Sequence, residues 1–524
     1  MAATSVGAGI LISRLAGLAR VMLFAKYFGQ RTEAADAFNL AFRIPNLLQN
    51  LFGEGALSGS FIPVHAGLRA RGEHEAAAQM ARTFFVLLTV AVSILVLLGV
   101  LAAPFMVTLL APGFTGAKRE LTIRLVRVLF PGAGLLVASA WCLGVLNSHG
   151  RFLLSYSAPV AWNAAMIATL LAFGDGGRRE LDSLAIDLAW GSVAGSFLQF
   201  AVQAPLAWRL SRHPGRAALT APVRQAVRNF GPILVSRGAV QLTAYIDAMI
   251  ASLLPTGAVA ALSNAQLLYT LPVSLFGISV AAAELPAMSG DAASAAGDAA
   301  SAADDAASAA GYAALRARID AALRRLAFFV VPSAVAFAAL GDVIAAALLQ
   351  RGRFQAADSL YVWGILAGAS VGLLATTMAR LYSAAHYALG DTKRPLRFAL
   401  VRLAVVTTLG YACAILLPPR LGIAADWGAA GLTASAGVAG WIEFTLLRAS
   451  LNRRIGRTGL AASYAARLWI AALAGAAVAW ALRLVLPPVD PLVRGAAVLP
   501  VFGAGFLGAA VLLGLPVPGL RRSL

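Results

Sequence analysis

The stretch 13–64, SRLAGLARVMLFAKYFGQRTEAADAFNLAFRIPNLLQNLFGEGALSGSFIPV, carries Arg14, Arg20, Lys26, Asp36, Arg43 and Glu54 inside sequence that is otherwise apolar enough to span a membrane. Charge at bilayer depth is costly. Such residues face a water-filled cavity or a partner, and they mark a transport path. Pro45, Gly53, Gly55 and Pro63 interrupt the second half of the stretch. Broken helices at membrane depth are tolerated where they line a cavity.

The rest of the chain agrees with this reading. It has 524 residues, 60% of them hydrophobic and 12% charged, with a mean hydropathy of +0.79. A soluble domain has no use for so much apolar surface. Apolar runs of ~20 residues recur, each enough to cross a hydrocarbon core of ~30 Å as a helix. The runs lack the strict alternation of barrel strands. The fold class is therefore an all-α polytopic membrane protein. The expected spans are 4–28, 36–64, 83–110, 122–147, 155–173, 184–208, 229–254, 258–288, 324–349, 359–389, 396–417, 427–447, 464–486 and 494–516, about fourteen. Met1–Ser5 has no basic n-region and the first run contains Arg14 and Arg20, so that run is expected to stay as the first span rather than be cleaved.

The net charge of +19 follows from topology. Arginines cluster in the even-numbered loops and the tail: Arg69, Arg71 and Arg82; Arg209 to Arg228; Arg316 to Arg325; Lys393, Arg394 and Arg397; Arg448 to Arg457; Arg521 and Arg522. By the positive-inside rule both termini are cytoplasmic. Basic residues spread over the loops of one side argue against a nucleic-acid partner. Cys142 and Cys413 stand alone in apolar runs and the five histidines are dispersed, so neither a disulfide framework nor a metal site is readable. There is no nucleophile–base pair, P-loop or ATP-binding domain. No catalytic residue and no cofactor is expected, and the energy comes from a gradient, the membrane potential or consumption of product.

The two halves resemble each other. ILISR at 10–14 matches ILVSR at 233–237, and the interrupted 44–64 has a counterpart in LPVSLFGISVAAAELPAM at 271–288. LLAPGF at 109–114 echoes LLQRGRF at 348–354, and LNSHGRFLLSYSAP at 146–159 echoes ALGDTKRPLRFA at 388–399. Six spans per repeat preserve orientation, which gives parallel repeats about an axis along the membrane normal. The expected organisation is a six-helix lobe at 1–215, a second at 216–455, a central cavity between them, and two added helices at 456–524. DAASAAG-type units at 291–311 fill a cytoplasmic loop, as an exposed helix or a linker.

Arg14 and Arg20 lie ~9 Å apart along one helix axis and about 120° apart around it. A cavity holding several rigid guanidinium forks suits a diphosphate or polyanionic head group. Arg237 occupies the repeat-equivalent position of Arg14, with Asp247 ten residues on; Arg43 and Arg380 lie in the second and tenth spans. Asp36 and Glu54 are candidates to pair with these arginines and keep an empty cavity neutral, and Asp36 at the start of its span is equally a helix cap. Glu284 is an acid in the eighth span, with Arg43 or Arg237 as candidate partners. Arg380 could instead hold a lipid head group. Lys26, Arg124, Arg127, Arg467 and Arg483 are near enough to helix ends to snorkel.

The stretch 13–64, together with YALGDTKRP at 387–395, strongly resembles the signature of the MurJ (MviN) lipid II flippases of the multidrug/oligosaccharidyl-lipid/polysaccharide exporter superfamily. The resemblance implies movement of undecaprenyl-diphosphate-linked peptidoglycan precursor across the bacterial inner membrane by alternating access. It implies substrate contacts at Arg14 and Arg20, roles for Asp36, Pro45–Asn46 and Glu54–Gly55, and a groove for the lipid tail at 464–486 and 494–516. Membrane lipids and cell-wall synthesis proteins are the implied partners. The alternatives are another polyprenyl-linked glycan, or a small-cation drug exporter, which an acidic cavity would suit better. Two family cations are missing: Gln49 follows the Pro-Asn-Leu-Leu run, and Ala265–Gln266–Leu267–Leu268 stands where Ala-Asp-Arg-Leu is usual.

Overall fold

A computed structural model of the chain describes residues 2–52, 54–174, 180–212, 218–295 and 302–517. Among these there is helix and no strand. In lipid every backbone amide must find its partner inside the segment, and a helix provides this without an edge. Eleven helices among the described residues are long and apolar enough to cross a membrane. The expected spans outside that set are 4–28, 36–64 and 229–254; they are helical too. The first two hold the charges of the opening stretch.

The chain packs as two compact units, residues 1–260 with 351–355, and 261–350 with 356–524. The first contains α1 (Ala2–Phe28), α2 (Glu33–Phe52), α3 (Glu54–Ala70), α4 (His74–Leu101), α5 (Ala103–Leu110), α6 (Gly116–Ser148), α7 (Phe152–Ser157), α8 (Pro159–Phe173), α9 (Leu181–Leu210) and α10 (Ala221–Ser252). Helix α6 forms its axis and packs against α2, α4 and α9. Trp141 of α6 is buried and donates its indole N–H to the Ala81 carbonyl (3.0 Å), so its polar edge is satisfied inside the core. Within 36–64 the described helices are α2, which runs through Pro45 and ends at Phe52, and α3, which starts at Glu54 and runs through Pro63. Helix α10 packs against α2 and α3, with the Phe230 ring 5.6 Å from that of Phe52.

The second unit contains α11 (Ala258–Pro272) from Ala261 onward, α12 (Ser279–Ala295), α13 (Ala302–Leu349), α14 (Ala356–Ala388), α15 (Lys393–Tyr411), α16 (Leu417–Arg420), α17 (Gly428–Ile455), α18 (Ala462–Val485) and α19 (Pro491–Leu512). A π-helical turn at Val273–Ile278 separates α11 from α12, just after Pro272 removes a helix-interior amide. It lies where the sequence repeat places the second broken span. Helices α12 and α13 run into the Ala/Ser/Asp repeat from both sides; residues 296–301 lie outside the described set. Helix α14 is the axis of this unit, packed between α13 and α17. Its Gly364, Gly368 and Gly372 form a stripe at a spacing of four. A Cβ on Gly372 would lie 2.2 Å from the Gly437 Cα of α17. Absence of a side chain is what lets these backbones touch.

Candidate functional site

Arg20 is half-buried in the first unit, about two turns after Ser13 on α1. Its Nε donates to Asn163 Oδ1 of α8 at 3.0 Å. Its guanidinium carbon is 5.1 Å from the centre of the Trp162 ring and 5.6 Å from that of Phe42 on α2. Phe42 and Trp162 themselves stack at 5.6 Å. Asn163 is held in turn by donating to the Pro159 carbonyl at 3.0 Å. Arg20 is thus oriented by a neutral acceptor and two π faces, and among the described residues it has no carboxylate partner. The charge is fixed in place and, among the described residues, not neutralised. Asn46 joins Phe42, Pro45, Trp162, Ser192 and Ser196 around a small cavity next to this constellation. Asn163 and Trp162 were not picked out from sequence. The signal was an Asn-Trp pair inside an apolar run.

Asp36 does something different from what its sequence position suggests. It pairs with a lysine and caps a helix other than its own. The buried carboxylate accepts from Lys118 Nζ at 2.7 Å, from the Gly257 amide at 2.8 Å and from the Ala260 amide at 2.9 Å. Gly257 is the residue before α11, and it has a φ of +101°. Glycine has no side chain to close its own helix end, so Asp36 supplies the acceptor that an Asp or Ser would carry there. Gln30 completes the seal by donating to the Gly257 carbonyl at 2.8 Å. Lys118 also went unrecognised. It sits in an odd-numbered loop, where the positive-inside pattern leaves few basic residues, and that was its signal.

The remaining predicted residues separate. Arg14 is exposed on α1 and among the described residues has no hydrogen bond or ion pair. Arg43 is half-buried, and its carbonyl accepts from the Tyr245 hydroxyl of α10 at 3.0 Å. Asp247 is half-buried on α10. Glu54 and Arg237 lie on α3 and α10, with side chains outside the described set. Glu284 does not pair with Arg43 or Arg237. In the second unit it faces Arg318 at 3.6 Å and Arg325 at 3.7 Å. The cause is that α12 and α13 extend past the expected span ends and lie side by side, so loop arginines become helix neighbours of α12. Arg318 also bonds Asp291 at 2.6 Å. Arg380 lies on α14 in the second unit, exposed.

The added helices α18 and α19 pack on α13. Arg483 pairs with Asp342 at 2.7 Å, and Trp480 donates to the Ala339 carbonyl at 2.9 Å. An apolar groove runs between α13, α14, α17 and α18, bordered by Val335, Val371, Leu374, Trp441, Trp469 and Leu473.

The sequence profile of the family described as lipid II flippase MurJ matches residues 24–492. The lipid II flippase MurJ of Burkholderia cenocepacia is 30% identical over 455 residues, covering 85% of this chain and 82% of its own. The probable lipid II flippase MurJ of Rhizobium meliloti is 32% identical over 457 residues, covering 85% and 79%. Among solved structures, a lipid II flippase MurJ in an inward closed conformation superposes with a TM-score of 0.76 at 20% identity, covering 97% of this chain and 98% of that one. An inward-facing multidrug MATE transporter of the MOP superfamily does so with a TM-score of 0.65 at 17% identity, covering 87% and 98%. At those identities the two structures speak for the fold, and the profile and relatives speak for the family. On the length of the profile match and the two-way coverage of its relatives, this chain belongs to the lipid II flippase MurJ family.

Proposed function

We propose that the chain is a transporter, not an enzyme, that carries lipid II from the inner to the outer leaflet of the bacterial cytoplasmic membrane, with both termini in the cytoplasm. The observation that carries this reading, beyond family membership, is Arg20. Its guanidinium is held by Asn163, Phe42 and Trp162, and its terminal N–H groups remain for an anion. Two parallel N–H···O bonds to a phosphate are the strongest use of such a fork. The exposed Arg14 gives a second cation on the same helix. Arg43 and Asn46, on α2 beside Phe42, border the sugar or diphosphate. The apolar groove along α13, α14, α17 and α18 fits an isoprenoid chain. Asp36 acts as a structural latch and has no contact with the head group.

Transport proceeds by exposing the Arg20 site alternately to the two sides. It uses no cofactor, and the membrane potential favours the outward direction: a negative charge leaving a negative-inside cell gains ~2.3 kcal/mol per 100 mV. The site chemistry disfavours a cationic drug as cargo, because a guanidinium with no carboxylate partner among the described residues repels it. The deciding experiment is complementation in a strain depleted of its own lipid II flippase. Growth is expected, with lipid II restored to the outer leaflet. Failure to restore growth or outer-leaflet lipid II, with the protein present in the membrane, would remove the proposal in favour of another polyprenyl-linked glycan as substrate.

A further inference from the structure

The second unit has its own cationic cluster, separate from Arg20. On α15, Arg402 Nη1 donates to Glu443 Oε2 of α17 at 3.2 Å, and Glu443 is buried. The Nε of Arg402 is also buried and has no hydrogen-bond partner. Arg380 of α14 lies within electrostatic range of both Arg402 and Glu443, yet among the described residues it makes no hydrogen bond or ion pair. The one carboxylate of the cluster is thus bonded to Arg402 alone, and two guanidinium groups against it leave a net positive charge.

Depth makes this excess informative. At 1.5 Å per residue, Arg380 lies about 12 Å inside the end of α14 at Ala388, and Arg402 about 13 Å inside the start of α15 at Lys393. The two side chains thus sit at one level. That level is on the side carrying Lys393, Arg394 and Arg397, cytoplasmic by the positive-inside rule. An uncompensated charge there is unfavourable unless an anion meets it. The surrounding surface is apolar and open: Leu396, Leu400, Val401 and Tyr387 are exposed. A free phosphate has no use for such a rim. A lipid does, because its chains cover the leucines while its phosphate reaches the arginines.

We propose that Arg380 and Arg402 bind the phosphate of a lipid head group in the cytoplasmic leaflet, with Glu443 holding the Arg402 guanidinium in position. The phosphate belongs either to an anionic phospholipid of the membrane or to a polyprenyl diphosphate.

The test uses the full chain in phosphatidylcholine nanodiscs containing a minor fraction of phosphatidylglycerol, with native mass spectrometry reading the lipids retained. Wild type should retain phosphatidylglycerol over phosphatidylcholine. Arg380→Gln should lower that preference about tenfold, the worth of one charge-assisted hydrogen bond. Because Arg402→Gln alone would strand Glu443, the paired change Arg402→Gln with Glu443→Gln is the second variant, and the same loss is expected. Arg453→Gln, in the exposed last turn of α17, should change nothing. In a second arm, undecaprenyl diphosphate is added. Displacement of phosphatidylglycerol by it assigns the site to the polyprenyl lipid, and persistence of phosphatidylglycerol assigns it to the bulk membrane. Unchanged retention of both lipids in both variants, or an equal loss in Arg453→Gln, overturns the proposal.

Discussion

At the residue scale, half-buried Arg20 and buried Asp36 of the first unit are held in opposite ways. Arg20 is kept charged and available; Asp36 is fully satisfied. Arg20→Ala should abolish complementation while leaving the protein in the membrane, since among the described residues the side chain makes a single hydrogen bond. Asn163→Ala leaves the charge but frees its orientation. We expect weaker substrate binding with partial complementation, a loss of about 1.5–3 kcal/mol typical of a hydrogen bond to a charged group. Equal growth of Asn163→Ala and wild type at limiting expression would show that Asn163 does not position Arg20. Lys118→Met is expected to cost stability, not transport chemistry. It leaves the Asp36 carboxylate buried without its cation, and breaking such a pair costs about 3–5 kcal/mol. Thermal unfolding in detergent reads this, and Asp36→Asn combined with Lys118→Met should recover part of the loss. Asp391, in the turn after α14, offers a pH test outside the membrane. Burial pushes its pKa up, but the Arg394 amide and the charges of Arg394, His386 and Arg454 outweigh this and hold the carboxyl below its ordinary value. Stability from a depressed carboxyl is present above the unfolded pKa of about 3.9 and is lost as pH falls through the folded value. Wild type should unfold at a higher temperature than Asp391→Asn near neutral pH, and the two should converge in acid.

At the element scale, close backbone approach decides which helices pair. Gly368 and Gly372 bring α14 against α17, and Gly364 makes room for the Trp427 ring just before it. Gly372→Leu should separate them and lower the unfolding temperature, while the same change at Gly503, where a Cβ meets nothing within 4 Å, should be mild. Capping follows the same economy. Gly257 turns the chain into α11 with a φ that L side chains rarely adopt, and the capping acceptor comes from Asp36 on α2. A side chain at 257 would have to bear that conformation itself. The low-complexity repeat was open to either a helix or a linker; its described parts continue α12 and α13 as helix, and Glu284 of α12 faces Arg318 and Arg325 of α13.

At the scale of the whole molecule, the fold is that of a multi-pass transporter, and the driving force is open to measurement. In proteoliposomes, an imposed potential that is negative on the lipid II donor side should speed its movement across, by an amount that grows with the ~2.3 kcal/mol per charge per 100 mV available. An ionophore that collapses the potential should remove the gain. A rate indifferent to the potential would assign the energy to an ion gradient or to consumption of lipid II on the far side. The class of fold was legible because twenty-residue apolar runs have almost no other use, and the family because the residues of 13–64 are specific. Partner identities were less legible. Asp36 was expected beside an arginine and lies on Lys118, 82 positions away; Glu284 was expected to face the arginines of other spans and faces its helix neighbour.

The sequence by itself determined that the chain lives in a membrane, that it is all helix and that its second span is interrupted. Hydrophobic runs, glycine and proline act locally, so they can be read along the chain. Only the tertiary structure decided which acceptor meets each charge: Asn163 for Arg20, Lys118 and a helix end for Asp36, Glu443 for Arg402. A charge in a low-dielectric interior takes whatever partner packing brings within a few ångströms, and that distance is set by helices far apart in sequence.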